Sequence, residues 1–280
     1  RVHGRFRRGV DGALVSTRSE RVPFTITLPT GPVESLPVVI FQHGLGGERS
    51  SMLGIADALA ASGWAVIAID IPFHGSRAAG DVDVAHNYGG GDGPDGFGET
   101  AGGAIYLDYL GVLDEAGEFG AFHPNYPRDV IRQSVVDLMA SVRVLREGDW
   151  SAVRALPGLE SLSFASPPLG FVGISLGGIV GTIFVATEPE IEAAVLNVTG
   201  GDLTRLVERS AGFSGLFLPL LLPRLGVDLA AIGPGDSPSF FPELAIYQTL
   251  LDRGDSIAFA PVLAGQPKHL LFQEAEHDET

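Results

Sequence analysis

The sequence predicts an α/β fold with a mostly parallel central sheet flanked by helices. Three apolar runs rich in β-branched residues, at 36–42, 64–69 and 191–198, are typical of strands buried on both faces. Between the second and third runs, residues 127–146 carry apolar side chains at steps of three and four, the period of a helix that packs one face on a sheet. Strands that alternate with helices in this way form parallel sheets.

Composition narrows the class of protein. The chain has 280 residues, of which 45% are hydrophobic, which is enough for one large α/β domain with a sizeable core. Its net charge of −16 opposes binding to nucleic acid and steady binding to anionic membrane surfaces. No apolar run reaches about 20 residues, so we expect no stable membrane insertion. The absence of cysteine excludes disulfides and thiolate metal sites.

The first quarter of the chain supplies an edge strand and two buried strands. Residues 1–21 are basic and polar, and we expect an irregular N-terminal arm. Residues 22–28 alternate apolar and polar side chains, which indicates an edge strand. The buried strand at 36–42 is followed by a predicted helix at 51–62, and the next buried strand at 64–69 follows that helix.

A glycine-rich loop directly follows the strand at 36–42. It consists of His43, Gly44, Leu45, Gly46 and Gly47, and it resembles the loop that lends a backbone N–H to the oxyanion hole of lipases and esterases. We expect Leu45 to supply that N–H and His43 to brace the loop rather than to abstract protons. The alternative is a glycine-rich connection with no catalytic role.

A turn motif also follows the strand at 64–69. Its sequence, from Asp70 to Gly75, is Asp-x-Pro-x-His-Gly, a familiar structural turn in α/β-hydrolases. We expect His74 to brace this loop, because it lies on the wrong strand to serve as a base. On the helix at 127–146, Asp137 lies beside the apolar stripe, and we expect it to be buried with a local partner.

The stretch at 171–178 carries the strongest functional signal. An apolar run leads into Gly173-Ile174-Ser175-Leu176-Gly177, and a helical pattern follows. Gly-x-Ser-x-Gly in this strand–turn–helix order is the nucleophile elbow of an α/β-hydrolase. The turn exposes the serine hydroxyl, and the start of the helix offers N–H groups and a positive dipole end. We therefore expect Ser175 to be the nucleophile and Leu176 to be the second oxyanion donor.

Two segments depart from the alternation of strands and helices. Residues 80–122 are rich in Gly and Asp, which favours a solvated insertion, with a calcium loop as the alternative. Residues 199–261 include the strongly apolar stretch 213–225, which two prolines interrupt. We expect both segments to be cap or lid insertions in a single domain spanning 1–280, although 213–225 is alternatively a core segment.

The C-terminal stretch is where the remainder of a catalytic triad is expected. A last predicted strand at 267–272 precedes Asp278, which occupies the turn where this fold places its acid. Glu274, Glu276 and Asp202 are the alternatives. The fold places the triad histidine after the acid, but no histidine follows Asp278.

That missing histidine leads to three interpretations. We expect the C-terminal strand and helix of the fold to be absent from this sequence, so that a C-terminal segment beyond it supplies the imidazole. A second chain that supplies the histidine is one alternative. A non-catalytic module with the same fold is the other.

Several stretches resemble the bacterial extracellular and virulence-factor lipases among the α/β-hydrolases. They lie at 41–50, 68–77, 128–138, 173–182, 195–201 and 270–278. The resemblance implies a secreted or cell-envelope enzyme that cleaves small-molecule or lipid esters through an acyl-enzyme, with no cofactor and no metal. A cytoplasmic location, dienelactone-hydrolase-like chemistry and peptidase chemistry at the same site are the alternatives.

Overall fold

The computed structural model describes residues 6–16, 19–77, 125–210, 214 and 242–276. Its strands are β1 (Arg7–Arg8), β2 (Leu14–Val15), β3 (Phe24–Thr27), β4 (Val38–Gln42), β5 (Ala65–Ile69), β6 (Leu169–Ile174), β7 (Ile191–Asn197) and β8 (His269–Gln273). Its α-helices are α1 (Leu53–Ala61), α2 (Asn125–Glu147), α3 (Ser151–Arg154), α4 (Leu176–Thr187), α5 (Leu203–Arg209), α6 (Pro242–Leu251) and α7 (Ser256–Ala264). Short 3₁₀ helices lie at Arg49–Met52, Gly75–Arg77 and Asp252–Gly254.

Six of these strands form one central sheet in the order β3-β5-β4-β6-β7-β8. Strand β3 runs antiparallel to β5 at one edge, and every other pairing in this sheet is parallel. The predicted fold class, a mostly parallel sheet with helices on its faces, is confirmed. The strands predicted at 22–28, 36–42, 64–69, 191–198 and 267–272 are all present, with ends that differ by a few residues at most.

The core lies on both faces of this sheet, because alternate residues of each strand point to opposite sides. Every residue of β4 and β5 is buried. The larger apolar cluster joins one face of the sheet to α2 and α4, and the smaller cluster, which includes Phe41 and Met52, covers the opposite face. The predicted apolar stripe of the long helix is buried in the larger cluster through Ile131, Val135, Leu138, Val142 and Leu145.

The N-terminal arm differs from the prediction. Residues expected to be irregular form a small antiparallel hairpin of β1 and β2, separate from the central sheet. Gly12, at φ 78°, makes its turn, and its N–H donates to the Gly9 carbonyl. The alternation that reveals a strand is not readable in segments of two residues.

The segment after β7 is more helical than the sequence indicated. Helices α5, α6 and α7 lie within the stretch 199–261 or overlap its end. Helix α7 packs on α4, and its Leu263 joins the larger core cluster, so this part flanks the sheet. The predicted insertion at 80–122 and most of 213–225 lie outside the described residues. Their assignment as cap or lid segments stays a prediction.

Candidate active site

Ser175 lies in a sharp turn between the end of β6 and the start of α4. Its backbone has φ 53° and ψ −119°, a conformation that residues other than glycine rarely adopt. The Ser175 N–H donates to the Asn197 carbonyl at 2.9 Å, which ties the turn to the end of β7. The Ser175 carbonyl accepts from the N–H groups of Gly178 and Ile179 at 2.8 and 3.0 Å. The predicted strand–turn–helix geometry of this motif is thus confirmed.

Close backbone packing explains the two glycines that flank Ser175. A Cβ atom at Gly173 would overlap the Gly177 carbonyl oxygen, and one at Gly177 would overlap the carbonyl oxygen of Gln42. Hence α4 begins directly against the end of β4. The serine is presented at the carboxyl edge of the sheet, where parallel α/β sheets bind their ligands.

The glycine-rich loop after β4 lies against the serine. A Cβ atom on Gly44 would be 3.1 Å from Ser175 Cβ and 3.7 Å from Ser175 Oγ. The Gly44 carbonyl accepts from the Gly47 N–H at 3.1 Å and bonds to His43 Nδ1 at 2.8 Å. Because the C=O and N–H of a planar trans peptide point in opposite directions, the Leu45 N–H faces away from the interior of the loop.

Two backbone donors are therefore available beside Ser175. No residue in the described ranges accepts a hydrogen bond from the N–H of Leu45 or of Leu176. Leu176 is the first residue of α4, where helical N–H groups have no partner within the helix. The structure places Gly44, the neighbour of Leu45, against Ser175, and Leu176 follows Ser175 directly. The assignment of Ser175, Leu45 and Leu176 to nucleophile and oxyanion hole stays a prediction.

His43 is a buried, neutral brace. Its Nδ1–H donates to the Gly44 carbonyl, and its Nε2 accepts from the Ile71 N–H at 3.1 Å. The pKa of His43 is lowered from 6.5 to about 4. Burial is the main cause, and repulsion from nearby His74 is the second. With both ring nitrogens engaged, His43 is not placed to abstract a proton from Ser175.

The turn after β5 is built from similar internal contacts. His74 Nδ1–H donates to the Pro72 carbonyl at 3.0 Å, and burial is the main cause that lowers the pKa of His74. Farther along the chain, Asp137 pairs with Arg77 at 2.8 Å and accepts from Gln133 at 2.7 Å. His74 has the bracing contact predicted for it, and Asp137 has the predicted local partner in Gln133. Asp137 is partly buried rather than buried, and its ion-pair partner Arg77 is distant in the chain.

The predicted acid, Asp278, lies outside the described residues. Its alternatives Glu274 and Glu276 directly follow β8 on the same edge of the sheet as Ser175, since Gln273 pairs with Asn197 and Asn197 pairs with Ile174. The third alternative, Asp202, caps α5 by accepting from the Arg205 N–H at 3.4 Å.

Sequence reasoning missed the buried carboxylate of Asp255. Its oxygens accept from the N–H groups of Asp202, Leu203 and Ile257 and from the Gln248 side chain, at 2.7 to 3.1 Å. These bonds hold the loop after β7 against the start of α7. The Asp-Ser pair that opens α7 is a helix N-cap signal and could have revealed this helix start.

The described histidines do not include an evident base for Ser175. His43 and His74 are engaged as braces, and His269 begins β8, pairing with Ala193 at the opposite edge of the sheet. The remaining four histidines lie outside the described ranges. The predicted external source of the imidazole therefore stays a prediction.

Metal-binding and membrane-spanning features are also absent from the ranges that the structure covers. No cluster of three or more His, Cys, Asp or Glu side chains there could hold a metal ion. No helix within those ranges is both long and apolar enough to cross a membrane. The Asp-rich stretch considered as a calcium loop lies in the part not described.

Comparison with known proteins adds a family match. The model of the family described as "alpha/beta hydrolase fold" matches residues 37–214, more than half of the 280 residues. A search of curated proteins returned no match.

Solved structures with a similar chain path include two acetyl xylan esterases. The one from Paenibacillus sp. R4 is 18% identical with a TM-score of 0.46, over 98% of this chain and 77% of that one. The one from Thermoanaerobacterium sp. JW/SL YS485 is 13% identical with a TM-score of 0.46, over 98% and 76%. Acylaminoacyl peptidase from Pyrococcus horikoshii is 12% identical with a TM-score of 0.43, and the match covers 93% of this chain but only 36% of that one. Similarities at this level carry no argument about substrate.

Proposed function

This chain belongs to the alpha/beta hydrolase fold family, and from that premise we propose that it is a serine hydrolase that cleaves carboxylic esters. One observation carries the proposal. Ser175 occupies a strained turn at the carboxyl edge of the sheet, with Gly44 in contact and the N–H groups of Leu45 and Leu176 without an acceptor among the described residues. A protein that used this serine only as a helix-capping residue would have no need of that conformation.

In the proposed reaction, Ser175 Oγ attacks the carbonyl carbon of the ester while its proton passes to an imidazole base. The Leu45 and Leu176 N–H groups stabilise the negative oxygen of the tetrahedral intermediate. The intermediate collapses to an acyl-enzyme, and the protonated imidazole gives its proton to the departing alcohol. Water then attacks the acyl-enzyme with help from the same base and releases the acid and Ser175.

The proposal assigns the base to a group outside the part of the chain described above. We propose Asp278, which also lies outside it, as the acid, and Glu274, Glu276 and Asp202 are the alternatives. We propose that the imidazole comes from a C-terminal segment or from a second chain. No step of this reaction calls for a metal or an organic cofactor.

The substrate class is an acyl ester of a small molecule or a lipid. The apolar stretch 213–225 favours acyl chains over peptides. The finer resemblance to extracellular lipases, and the secreted or cell-envelope location that it implies, belong to this proposal. The second candidate is a non-catalytic member of the family, which the lack of an evident base among the described histidines favours.

Hydrolysis of short and long p-nitrophenyl esters by the full chain tests the proposal, with labelling by a fluorophosphonate probe as a parallel readout. We expect Ser175→Ala to abolish labelling and to lower kcat by at least about 10³-fold, because the nucleophile is lost. Ser151→Ala is the matched control, since Ser151 is exposed at the start of α3 and should leave both readouts unchanged.

Two outcomes would contradict the proposal. Turnover and labelling of Ser175→Ala close to those of the wild type would remove Ser175 from the reaction. A folded wild-type chain that shows neither turnover nor labelling, even when the C-terminal segment or second chain proposed to supply the imidazole is present, would favour the non-catalytic candidate.

A further inference from the structure

A fully buried carboxylate, Asp70, lies directly after β5 and behind the glycine-rich loop. Its Oδ1 accepts from the Arg49 N–H at 2.7 Å. Its Oδ2 pairs with the Arg49 guanidinium and accepts from the Ser76 N–H at 3.1 Å and the Ser76 hydroxyl at 2.8 Å. A buried carboxylate survives only where its oxygens are satisfied in this way, and here both oxygens are.

The surrounding backbone is shaped to this carboxylate. Gly75 has φ 49°, and a Cβ atom there would lie 2.6 Å from the carboxylate atoms of Asp70. The Asp70 carbonyl also accepts from the Arg77 guanidinium at 2.9 Å. The turn at 70–77 is therefore closed around Asp70.

The glycine-rich loop is anchored to this turn on both sides. At the start of the loop, His43 Nε2 accepts from the Ile71 N–H, next to Asp70 in the chain. Two residues after the loop, Arg49 is held to the Asp70 carboxylate by its backbone N–H and its side chain. Five residues, 44–48, span the gap between the two anchors, and Gly44 contacts Ser175 within that span.

We propose that Asp70 is a positioning residue for the oxyanion hole. Acting through Arg49, it holds the loop so that the Leu45 N–H faces the Ser175 hydroxyl. Asp70 itself touches neither the nucleophile nor the substrate. This inference rests on the proposed function. It identifies Asp70 as the group that keeps the glycine-rich loop in position for the oxyanion hole before substrate binds.

The expected signature of such a residue is kinetic. An oxyanion donor acts mainly when charge develops on the carbonyl oxygen, so a displaced donor raises the barrier more than it weakens substrate binding. Loss of a whole donor typically lowers kcat by about 10²- to 10³-fold, and we expect displacement to cost less, about 10- to 100-fold. KM should stay within about twofold of the wild-type value.

The experiment uses Asp70→Asn and Ser76→Ala in the full chain. Asp70→Asn keeps the size of the side chain but removes its charge, and Ser76→Ala removes one donor to Oδ2 while leaving the ion pair with Arg49. The second variant therefore reports on the same interaction if the first does not fold. Asp129→Asn is the matched control, because Asp129 is also buried and paired, with Arg128 and Arg132 on α2.

For each variant, kcat and KM for a short p-nitrophenyl ester, the rate of fluorophosphonate labelling and the Tm are measured. We expect Asp70→Asn to lower kcat and the labelling rate about 10- to 100-fold, and Ser76→Ala to lower both by a few-fold, with KM nearly constant. Asp129→Asn should lower the Tm with kcat and KM close to wild type.

The inference is overturned if Asp70→Asn and Ser76→Ala lower the Tm while kcat stays at the wild-type value. It is equally overturned if their loss of activity is a rise in KM. A wild-type chain that shows no Ser175-dependent turnover when the proposed source of the imidazole is present would instead overturn the proposed function, and the inference with it. The two failures are distinguishable, because only the second affects the unmodified chain.

Discussion

The imidazole of His43 illustrates how one side chain makes stability depend on pH. It is buried, it donates to the Gly44 carbonyl, and its Nε2 accepts from the Ile71 N–H. Protonation of Nε2 would therefore place its new N–H directly opposite the Ile71 N–H. Its pKa falls from 6.5 to about 4 on folding. The unfolded chain therefore binds more protons than the folded chain between these values, and stability rises with pH across that window.

We expect the free energy of unfolding to be fully developed above about pH 6.5 and to fall as the pH is lowered to about 4. The His43 contribution is on the order of 3 kcal/mol. His74, whose pKa is also lowered by burial, acts in the same direction. Urea denaturation at several pH values measures the effect, and His43→Gln should flatten part of the slope. An unchanged slope in that variant would assign the dependence to other groups.

For individual residues, the sequence predicted the roles of those that belong to short local motifs. Ser175 and Leu176 belong to one motif with fixed local geometry and Leu45 belongs to another, and the structure places Gly44, next to Leu45, against Ser175. The ion pair of Arg49 with Asp70 joins residues 21 positions apart, and Asp255 binds residues more than 50 positions away. No local pattern encodes such partners, because they depend on how separate loops meet at the edge of the sheet.

At the scale of elements, helix α2 shows how strongly its two faces differ. Val142 is 2% exposed in the core, while Val144, two residues later, is 42% exposed. We expect Val142→Ala to lower the free energy of unfolding by about 1.5–3 kcal/mol, because it removes buried methyl groups. Val144→Ala, the matched control, should change it by no more than about 0.5 kcal/mol. Chemical denaturation measures both, and equal losses would refute this assignment of faces.

Whether an element was predictable depended on the length and regularity of its pattern. Helix α2 has a sustained stripe of apolar residues and was predicted with its ends within two residues. Helix α7 was missed, because its sequence is apolar on all sides and contains Pro261, so no stripe distinguishes one face. Strands β4 and β5 were predicted from their continuous apolar runs, which reflect burial on both faces.

At the scale of the whole molecule, the net charge of −16 means that the surface carboxylates repel one another in the folded state, and salt screens this repulsion. We expect the Tm to rise by a few degrees between about 10 and 150 mM NaCl, since the surface charges are screened while buried pairs such as Arg49–Asp70 are affected little. Differential scanning calorimetry measures the change, with sucrose as an uncharged control at equal osmolality. A Tm that falls with salt would mean that exposed attractive pairs outweigh the repulsion.

Residues with positive φ also follow a pattern across the molecule. The loops that follow the parallel strands β4, β5, β6 and β7 each contain a residue with positive φ, namely Gly46, Phe73, Ser175 and Val198. All four lie at the carboxyl edge of the sheet. Parallel α/β sheets bind their ligands at this edge. The sequence motifs did not identify the source of the base, because that depends on groups beyond the aligned strand ends.

The glycines packed around the elbow also constrain how this gene can change. A side chain at Gly173 or Gly177 would overlap backbone oxygens, and one at Gly181 would overlap the ring of Phe171. No compensating substitution at a single neighbour relieves a clash with backbone, whereas a smaller residue at position 171 could admit alanine at position 181. In a saturation library, positions 173 and 177 should therefore tolerate no replacement in any background, while position 181 should show pairwise epistasis with position 171.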